Sequence, residues 1–451
     1  MLLLAAVVLL AALATAPLAR AGAAARPPLV ANIPGQPVWV RPRPPFRFRV
    51  WAIAAAVCTV ITVITMVAAP AFQVAAAFLS LGVLGLITAI FRRYAAGCRE
   101  VREAVDAFAP RIAMPYAGKV GVHIGMWSPW VDRTGVPWCI VARTPALFHE
   151  LAAMYPGTPI VQGAIPASVT GALYTHGAAA NADFIAQSPA THVFLGHGDS
   201  DKPLSASERV LQYDIITVAG QAAIDRFAAA GIDVPADKLR IIGRPQTEGI
   251  VPARGRVPKN PTVLYAPTWR HADDALNVSS LAVADRIVQA LLDRGCTVVF
   301  RRHFAGQNHA EAEAMIVRVN KLLAAAGPRH QWGDDAMHRP LVDAFNAADV
   351  MVSDISGIVV DFMASDKPLV MYAAQYDDPD VFRAAHPTAR AAYVIDRELA
   401  HLDSALDDAL GKDPLADVRA QQADRYLGGP DRARPAQRFI DLVQEIGRPR
   451  P

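Results

Sequence analysis

Cysteine is scarce in this chain and nowhere patterned. The four that occur, Cys58, Cys98, Cys139 and Cys296, stand singly, with no CxxC pair among them. That spacing excludes a disulfide framework and a cysteine-based zinc site, and fits reduced, structural thiols in a cytosolic setting. Charge of one sign is also lacking: 44 basic and 41 acidic residues leave a formal net charge of +3, too little to argue for a nucleic-acid partner. The chain carries no P-loop, no GxGxxG and no internal repeat. No dedicated metal-ligand cluster stands out, so no cofactor is assigned with certainty. A magnesium ion carried on a pyrophosphate would leave little trace of itself.

Apolar residues are abundant, 53% of the 451, and they are concentrated in the first 91. Residues 50–69 (VWAIAAAVCTVITVITMVAA) and 72–91 (FQVAAAFLSLGVLGLITAIF) each reach the ~20 residues that cross a bilayer. Only Pro70 and Ala71 separate them, which predicts a helical hairpin. Arg41, Arg43, Arg47 and Arg49 precede it, and Arg92, Arg93, Arg99 and Arg102 follow it, so both flanks are expected on the cytoplasmic side. Residues 2–19 read in two ways. Ala19-Arg20-Ala21 resembles a signal-cleavage site, but no basic n-region precedes the run, and Arg20 and Arg26 after it fit a further span with an outside N-terminus. The expectation is a cell-membrane protein with several spans in residues 1–92 and everything after them in the cytosol.

From about residue 94 short β-rich runs alternate with amphipathic stretches, the pattern of an α/β fold with a parallel sheet. Residues 119–125 (KVGVHIG), 138–143, 172–176, 192–196, 214–219 and 239–243 are expected strands of a first unit, 93–250. Residues 251–261 (VPARGRVPKNP) read as a linker, and 262–451 as a second unit with strands at 262–267, 297–302, 349–354 and 368–372. Its helices are expected at 281–294, 309–325, 341–347 and 356–364. Two such units create a cleft at the carboxyl ends of their strands, where open α/β sheets bind ligands.

The polar residues at those strand ends carry the chemistry. In VFLGHGDSDK, His197 follows an apolar run, Gly198 permits close approach and Lys202 can neutralise phosphate. A neutral imidazole there can take a proton from a hydroxyl near pH 7. It can equally cap a turn, and this stretch alone does not separate the two. LYAPTWR (264–270) offers Thr268 as a hydrogen-bond donor and Arg270 as a phosphate fork. VVFRRHF (298–304) places Arg301 and His303 at another strand end, a cationic group suited to a pyrophosphate. In VSDISGIVVDF, Asp354 ends a strand, Ser356 and Gly357 open a helix whose amides can hold an anion, and Asp361 follows on that helix. Ser356 also reads as an ordinary N-cap, and Asp361 as a solvated helix charge.

Taken together the motifs resemble the CDP-glycerol glycerophosphotransferase family, the teichoic acid primases and polymerases. HGDSDK is similar to that family's His-Gly-x-x-x-Lys, YAPTWR matches its Tyr-Ala-Pro-Thr-Trp-Arg, FRRHF resembles Arg-x-His-Pro, and SDISGIVVDF resembles Asp-x-Ser-Ser-x-x-x-Asp-Phe. GGPDRARPAQRFIDLV (428–443) looks like its closing segment, so the resemblance covers about residues 115–445. Phe304 stands where the family has proline and Gly357 where it has a second serine. The resemblance implies a GT-B-like pair of Rossmann-like domains and transfer of glycerol phosphate from CDP-glycerol to an acceptor hydroxyl, with CMP leaving. It implies His197 as general base, and His303 with Arg301 at the breaking pyrophosphate. Ser356, Gly357, Thr268, Arg270, Asp354 and Asp361 fall on the donor side, Gly198 and Lys202 on the acceptor or phosphate side. The implied acceptor is a lipid-linked glycan or a polyol-phosphate chain. Two other readings share the architecture: a nucleotide-sugar glycosyltransferase, and a membrane-anchored binding protein that has lost catalysis.

Overall fold

Long runs rich in Ala and Leu favour a helix, and with no polar face to solvate they carry Val and Ile into it as well. In the computed structural model they form α1 (Leu2–Ala24), α2 (Phe48–Ala68) and α3 (Gln73–Phe108). The structure describes residues 2–25, 29–34, 48–118, 121–196, 198, 200–201, 206–255, 257–271, 273, 276–303, 309–430 and 434–449. The three helices pack together through Val8, Ala12, Trp51, Ala55, Ala77, Leu84 and Phe91. Among the described residues one helix, Gln73–Phe108, is long and apolar enough to cross a membrane by length and composition. The apolar stretches of the other two, Ala6–Ala21 and Arg49–Thr65, are shorter.

Between α1 and α2 the chain reaches the α/β body. β1 (Val30–Ala31) pairs antiparallel with β4 (Ile160–Gln162) at the edge of an eight-stranded sheet. The sheet also contains β2 (Ile112–Tyr116), β3 (Trp138–Ala142), β5 (Gly171–Tyr174), β6 (Thr191–Phe194), β7 (Ile215–Val218) and β8 (Leu239–Ile241), in the order β1-β4-β3-β2-β5-β6-β7-β8. All pairs but the first are parallel. Its helices are α4 (Val122–Gly125), α5 (Ser128–Asp132), α6 (Pro145–Met154), α7 (Asn181–Gln187) and α8 (Gln221–Ala229).

The second sheet is wholly parallel, in the order β10-β9-β11-β12-β13. Its strands are β9 (Thr262–Ala266), β10 (Thr297–Phe300), β11 (Val350–Ser353), β12 (Leu369–Ala373) and β13 (Tyr393–Asp396). Helices α9 (Ala284–Asp293), α10 (Ala310–Ala326), α11 (Gly333–His338), α12 (Leu341–Ala347), α13 (Gly357–Phe362), α14 (Pro379–Ala385) and α15 (Leu402–Leu410) cover it. The chain ends in α16 (Ala416–Leu427) and α17 (Gln437–Ile446). Two apolar clusters line the faces of each sheet.

Two features differ from the sequence pattern. The alternation in KVGVHIG predicts a strand, yet its described part forms the short helix α4, and the first parallel strand is 112–116. That strand contains Pro115, a residue that normally argues against a central strand. It is tolerated because the ladder to β5 is registered only at Ile112 and Ala113, before the proline. Helix α17, expected within the second unit, packs on the first sheet: Phe439, Leu442, Val443 and Ile446 share a core with Ile112, Trp127 and Trp138. Gly171 makes room for it, since a Cβ there would lie 2.7 Å from the Ile446 side chain.

Candidate functional site

The register of the second sheet aligns the strand ends that bear the expected chemistry. Phe300 lies beside Tyr265, and Ser353 beside Ala266, so the residues after β10, β9 and β11 emerge side by side. Their backbones are tied together. The Thr268 N–H donates to Asp354 Oδ2 at 2.7 Å, Ser353 Oγ to the Ala266 carbonyl at 2.7 Å, and Ser279 Oγ to the Thr268 carbonyl at 2.7 Å. Thr268 and Asp354 are both buried. A carboxylate held by a backbone donor beneath a strand end makes a rigid floor, the kind of preorganised support a charged reaction centre needs.

Arg301 leaves β10 and turns inward. Its Nη1 donates to the Ala336 carbonyl at 2.6 Å and the Arg339 carbonyl at 2.7 Å, which fastens the end of α11, and burial lowers its pKa from the ordinary value. His303, two residues on, is half-buried. Arg270 hydrogen-bonds His309 and pairs with Glu311 at 3.6 Å, so it reaches the start of α10. Ser356 holds extended geometry at the N-cap of α13 and makes no side-chain capping bond, so its hydroxyl is not spent as the ordinary N-cap the sequence allowed. Gly357 follows as the first residue of α13, half-buried.

Asp361 is paired across the chain. Both carboxylate oxygens accept from Arg244, at 2.8 Å from Nε and 3.0 Å from Nη2, with both side chains buried. Arg244 follows β8, so this pair joins the first sheet's last strand to a helix of the second. The segment after it is gripped from both sides. Gln246 Nε2 donates to the Met126 carbonyl and Trp130 Nε1 to Glu248; Asn346 accepts from the Val251 N–H and donates to the Gly249 carbonyl.

On the first sheet, His197 and Lys202 lie outside the described residues, as does Phe304 on the second. The flanks of the His-Gly turn are described. The Gly196 carbonyl accepts from Trp127 Nε1 at 2.9 Å, and Gly198 is exposed, with open space where a side chain would be. A small open cleft lined by Trp127, Phe194, Gly196, Gly198, Arg226 and Arg244 lies there. Asp201 reaches the far unit: it accepts from the Thr388 N–H and hydroxyl, each at 2.6 Å, and from the Tyr426 hydroxyl at 3.2 Å. Among the described residues no group of three or more His, Cys, Asp or Glu is placed to hold a metal.

The floor beneath these strand ends lies within a segment with known relatives. Residues 200–384 match the family model described as CDP-Glycerol:Poly(glycerophosphate) glycerophosphotransferase. The match takes in less than half of the chain, and it is this segment that is similar to the family. The match supports an enzyme class of the CDP-glycerol glycerophosphotransferase kind. The matched segment contains every donor-side residue named above and begins just after His197 and Gly198. No curated protein matches the chain. Among solved structures it is similar to the wall teichoic acid polymerase TagF at 12% identity, over 78% of this chain and 94% of that one, with a TM-score of 0.46. It is also similar to the S. aureus MnaA–UDP co-structure at 13% identity, over 74% and 96% of the two chains, TM-score 0.49. A putative UDP-N-acetylglucosamine 2-epimerase from Listeria monocytogenes matches at 12%, over 74% and 96%, TM-score 0.46.

Sequence reasoning missed Arg244 and the reach of Asp201 to the far unit. Arg244 carried one signal, its position beside Gly243 and Pro245 just beyond a strand. Asp201 carried none, because its partner Thr388 is 187 positions away in the chain.

Proposed function

We propose that this chain transfers glycerol phosphate, or a related polyol phosphate, from a CDP-activated donor to a hydroxyl of a membrane-associated glycan or polymer of the teichoic acid type. The observation that carries the reading is the row of Arg301, His303, Thr268, Arg270, Asp354 and Ser356 at three adjacent strand ends, all within the matched segment. The acceptor oxygen attacks the phosphorus that bears glycerol; the bond from that phosphorus to the bridging oxygen breaks, and CMP leaves with the bridging oxygen. Such transfers depend on positioning and charge stabilisation more than on covalent catalysis.

In this reading His197 accepts the hydroxyl proton, and His303 with Arg301 offsets charge on the departing pyrophosphate oxygen. Ser356 and Gly357 hold donor phosphate, while Thr268 and Arg270 shape the donor pocket over Asp354. Gly198 leaves room for the acceptor and Lys202 contacts phosphate. A magnesium ion, where required, travels on the pyrophosphate. Asp361, on the donor side, is bonded through both oxygens to Arg244 and so joins the two units there. The units, 93–250 and 262–451 about the linker 251–261, form a GT-B-like pair of Rossmann-like domains, with α17 returned to the first. Helices α1–α3 anchor the chain in the cell membrane with the body in the cytosol, which raises the effective concentration of a membrane-bound acceptor.

The test is the purified full chain in detergent, given CDP-glycerol or CDP-ribitol over membrane lipid extracts, with CMP and lipid product measured. His197→Ala and His303→Ala should each lower turnover by at least ~100-fold. Near-normal turnover by His197→Ala would remove it as the base. Release of a nucleoside diphosphate from a nucleotide sugar would favour a glycosyltransferase, and donor binding without turnover an inactive binding protein.

A further inference from the structure

In HGDSDK, Asp201 stands at an unspecified place of the His-Gly-x-x-x-Lys pattern, so the pattern gives it no role. Its side chain is nonetheless only 6% exposed and fully engaged. Oδ2 accepts from both the N–H and the hydroxyl of Thr388, each at 2.6 Å. Oδ1 accepts from the Tyr426 hydroxyl at 3.2 Å and from Arg226 Nη2 at 3.5 Å. Thr388 lies in the short helical turn Pro387–Ala391 before β13 and Tyr426 on α16, both in the second unit; Arg226 is on α8 of the first.

These partners make a seat for a carboxylate. Hydrogen bonds to an ionised acceptor are about twice as strong as neutral ones, and a buried carboxylate without them is costly. Thr388 and Tyr426 are themselves buried. His386, two residues before Thr388, does not supply the counter-charge: burial lowers its pKa from the ordinary imidazole value against the pull of Asp201, which keeps it neutral at pH 7. The counter-charge comes from Arg226. The units already touch here. A Cβ on Gly220, the N-cap of α8, would lie 2.4 Å from the Arg425 carbonyl of α16, and Arg425 pairs with Asp225 of α8.

The other end of the same loop is fixed to the first unit. Thr217 Oγ1 donates to the Phe194 carbonyl at 3.0 Å where β6 stops, and Trp127 Nε1 holds the Gly196 carbonyl. Asp201 follows Gly196 by five positions, and a stretch of that length reaches at most about 18 Å. The His-Gly turn is therefore strung between the two units, held by the first before it and by the second after it. Arg226 carries this tie into the cleft, which it lines beside Gly198 while bonded to Asp201.

We propose that Asp201 is a positioning residue for the transfer. It clamps the His-Gly turn and Arg226 to the second unit, and so sets the acceptor side of the cleft against the donor-side row. A displacement by phosphoryl transfer needs its attacking and leaving oxygens in line, so the relation between the two sides governs the rate. The step being positioned rests on the transfer reading above; the clamp between the units does not.

The experiment uses the full chain in detergent and follows amide hydrogen exchange by mass spectrometry, resolved at Thr388. In Asp201→Asn, which keeps the side chain's size, the Thr388 amide should exchange about tenfold faster, the loss of one hydrogen bond to a charged group. Peptides from β9 and β11 should exchange as in the native chain, which reports that the second sheet stays folded. Thr388→Ser keeps both donors and should behave as native. Thr388→Val keeps only the N–H and should fall between; it gives the same readouts if Asp201→Asn loosens β9 and β11. In turnover assays Asp201→Asn should lower kcat about tenfold with KM for CDP-glycerol unchanged, since its partners lie outside the donor-side row. Adding Thr388→Val to Asp201→Asn should slow it no further. Native exchange at Thr388 in Asp201→Asn overturns the clamp, and faster exchange with unchanged kcat overturns the positioning role. Multiplying losses in the double variant would place the effect of Asp201 somewhere other than Thr388 and count against the proposal. No CDP-glycerol turnover by the native chain would end the transfer reading, and exchange at Thr388 would still decide the clamp.

Discussion

Arg244 and Asp361 meet through two hydrogen bonds of 2.8 and 3.0 Å, with side chains only 5% and 8% exposed. Removing one partner of such a pair leaves the other charge buried and unpaired, which costs about 3–5 kcal/mol, whereas replacing both with apolar side chains is often neutral. Asp361→Ala should therefore lower the unfolding free energy in urea by about that amount. The Arg244→Met, Asp361→Leu double variant should recover most of it. A single variant within 1 kcal/mol of the native protein would mean the pair contributes no more than a surface contact. The same residues show what a sequence can and cannot convey. Asp361 is visible as a motif residue on a helix, but its partner lies 117 positions earlier, and the alternatives of ligand contact or solvated charge come naturally to a reader who cannot see it. Thr268 and Asp354, 86 positions apart, were legible as two site residues and not as one hydrogen-bonded floor.

At the level of elements, periodicity located most of the chain correctly where packing agreed with pattern. α10 and α12 fall on the expected 309–325 and 341–347, and four strands of the second sheet fall where apolar runs end in polar residues. The pattern failed where tertiary contacts overrode it: at β2, whose proline hides a strand, and at α17, whose amphipathic face carries no mark of which sheet it will cover. α17 places Phe439 against Trp127, with ring centroids 5.0 Å apart, and Trp127 in turn holds the Gly196 carbonyl. A returning helix thus supports the turn that leads into the cleft. Phe439→Ala empties a fully buried site and should cost about 3–5 kcal/mol in thermal or urea unfolding. Trp127 fluorescence should change with it. A variant that unfolds as the native chain does would show that α17 is a peripheral addition to the first sheet.

For the molecule as a whole, the N-terminal helices bury polar residues among apolar ones and leave large apolar side chains outside. Thr62 and Ser80 are 0% and 3% exposed and hydrogen-bond each other at 3.2 Å, while Val67, Phe78 and Leu79 stand 75%, 70% and 70% exposed. Water would penalise that arrangement and hydrocarbon would favour it, because buried polar groups pair internally while the apolar exterior meets lipid. β1 adds a constraint on topology. It lies between α1 and α2 in the chain yet pairs with β4 of the body, so the end of α1, the start of α2 and the end of α3 all lie on the body's side. In the proposed anchor, the turn between α2 and α3 is then the part farthest from the body, across the membrane. The four native cysteines are buried, which permits a direct test. In intact cells Ala71→Cys should react with a membrane-impermeant maleimide, and Ala230→Cys on the body should react only after permeabilisation. The native chain should also remain with membranes through alkaline carbonate washing. Reversed labelling would put the body outside the cell and away from a cytosolic donor. Equal protection of both positions in intact cells, with release into carbonate, would mean that the bundle does not cross the membrane.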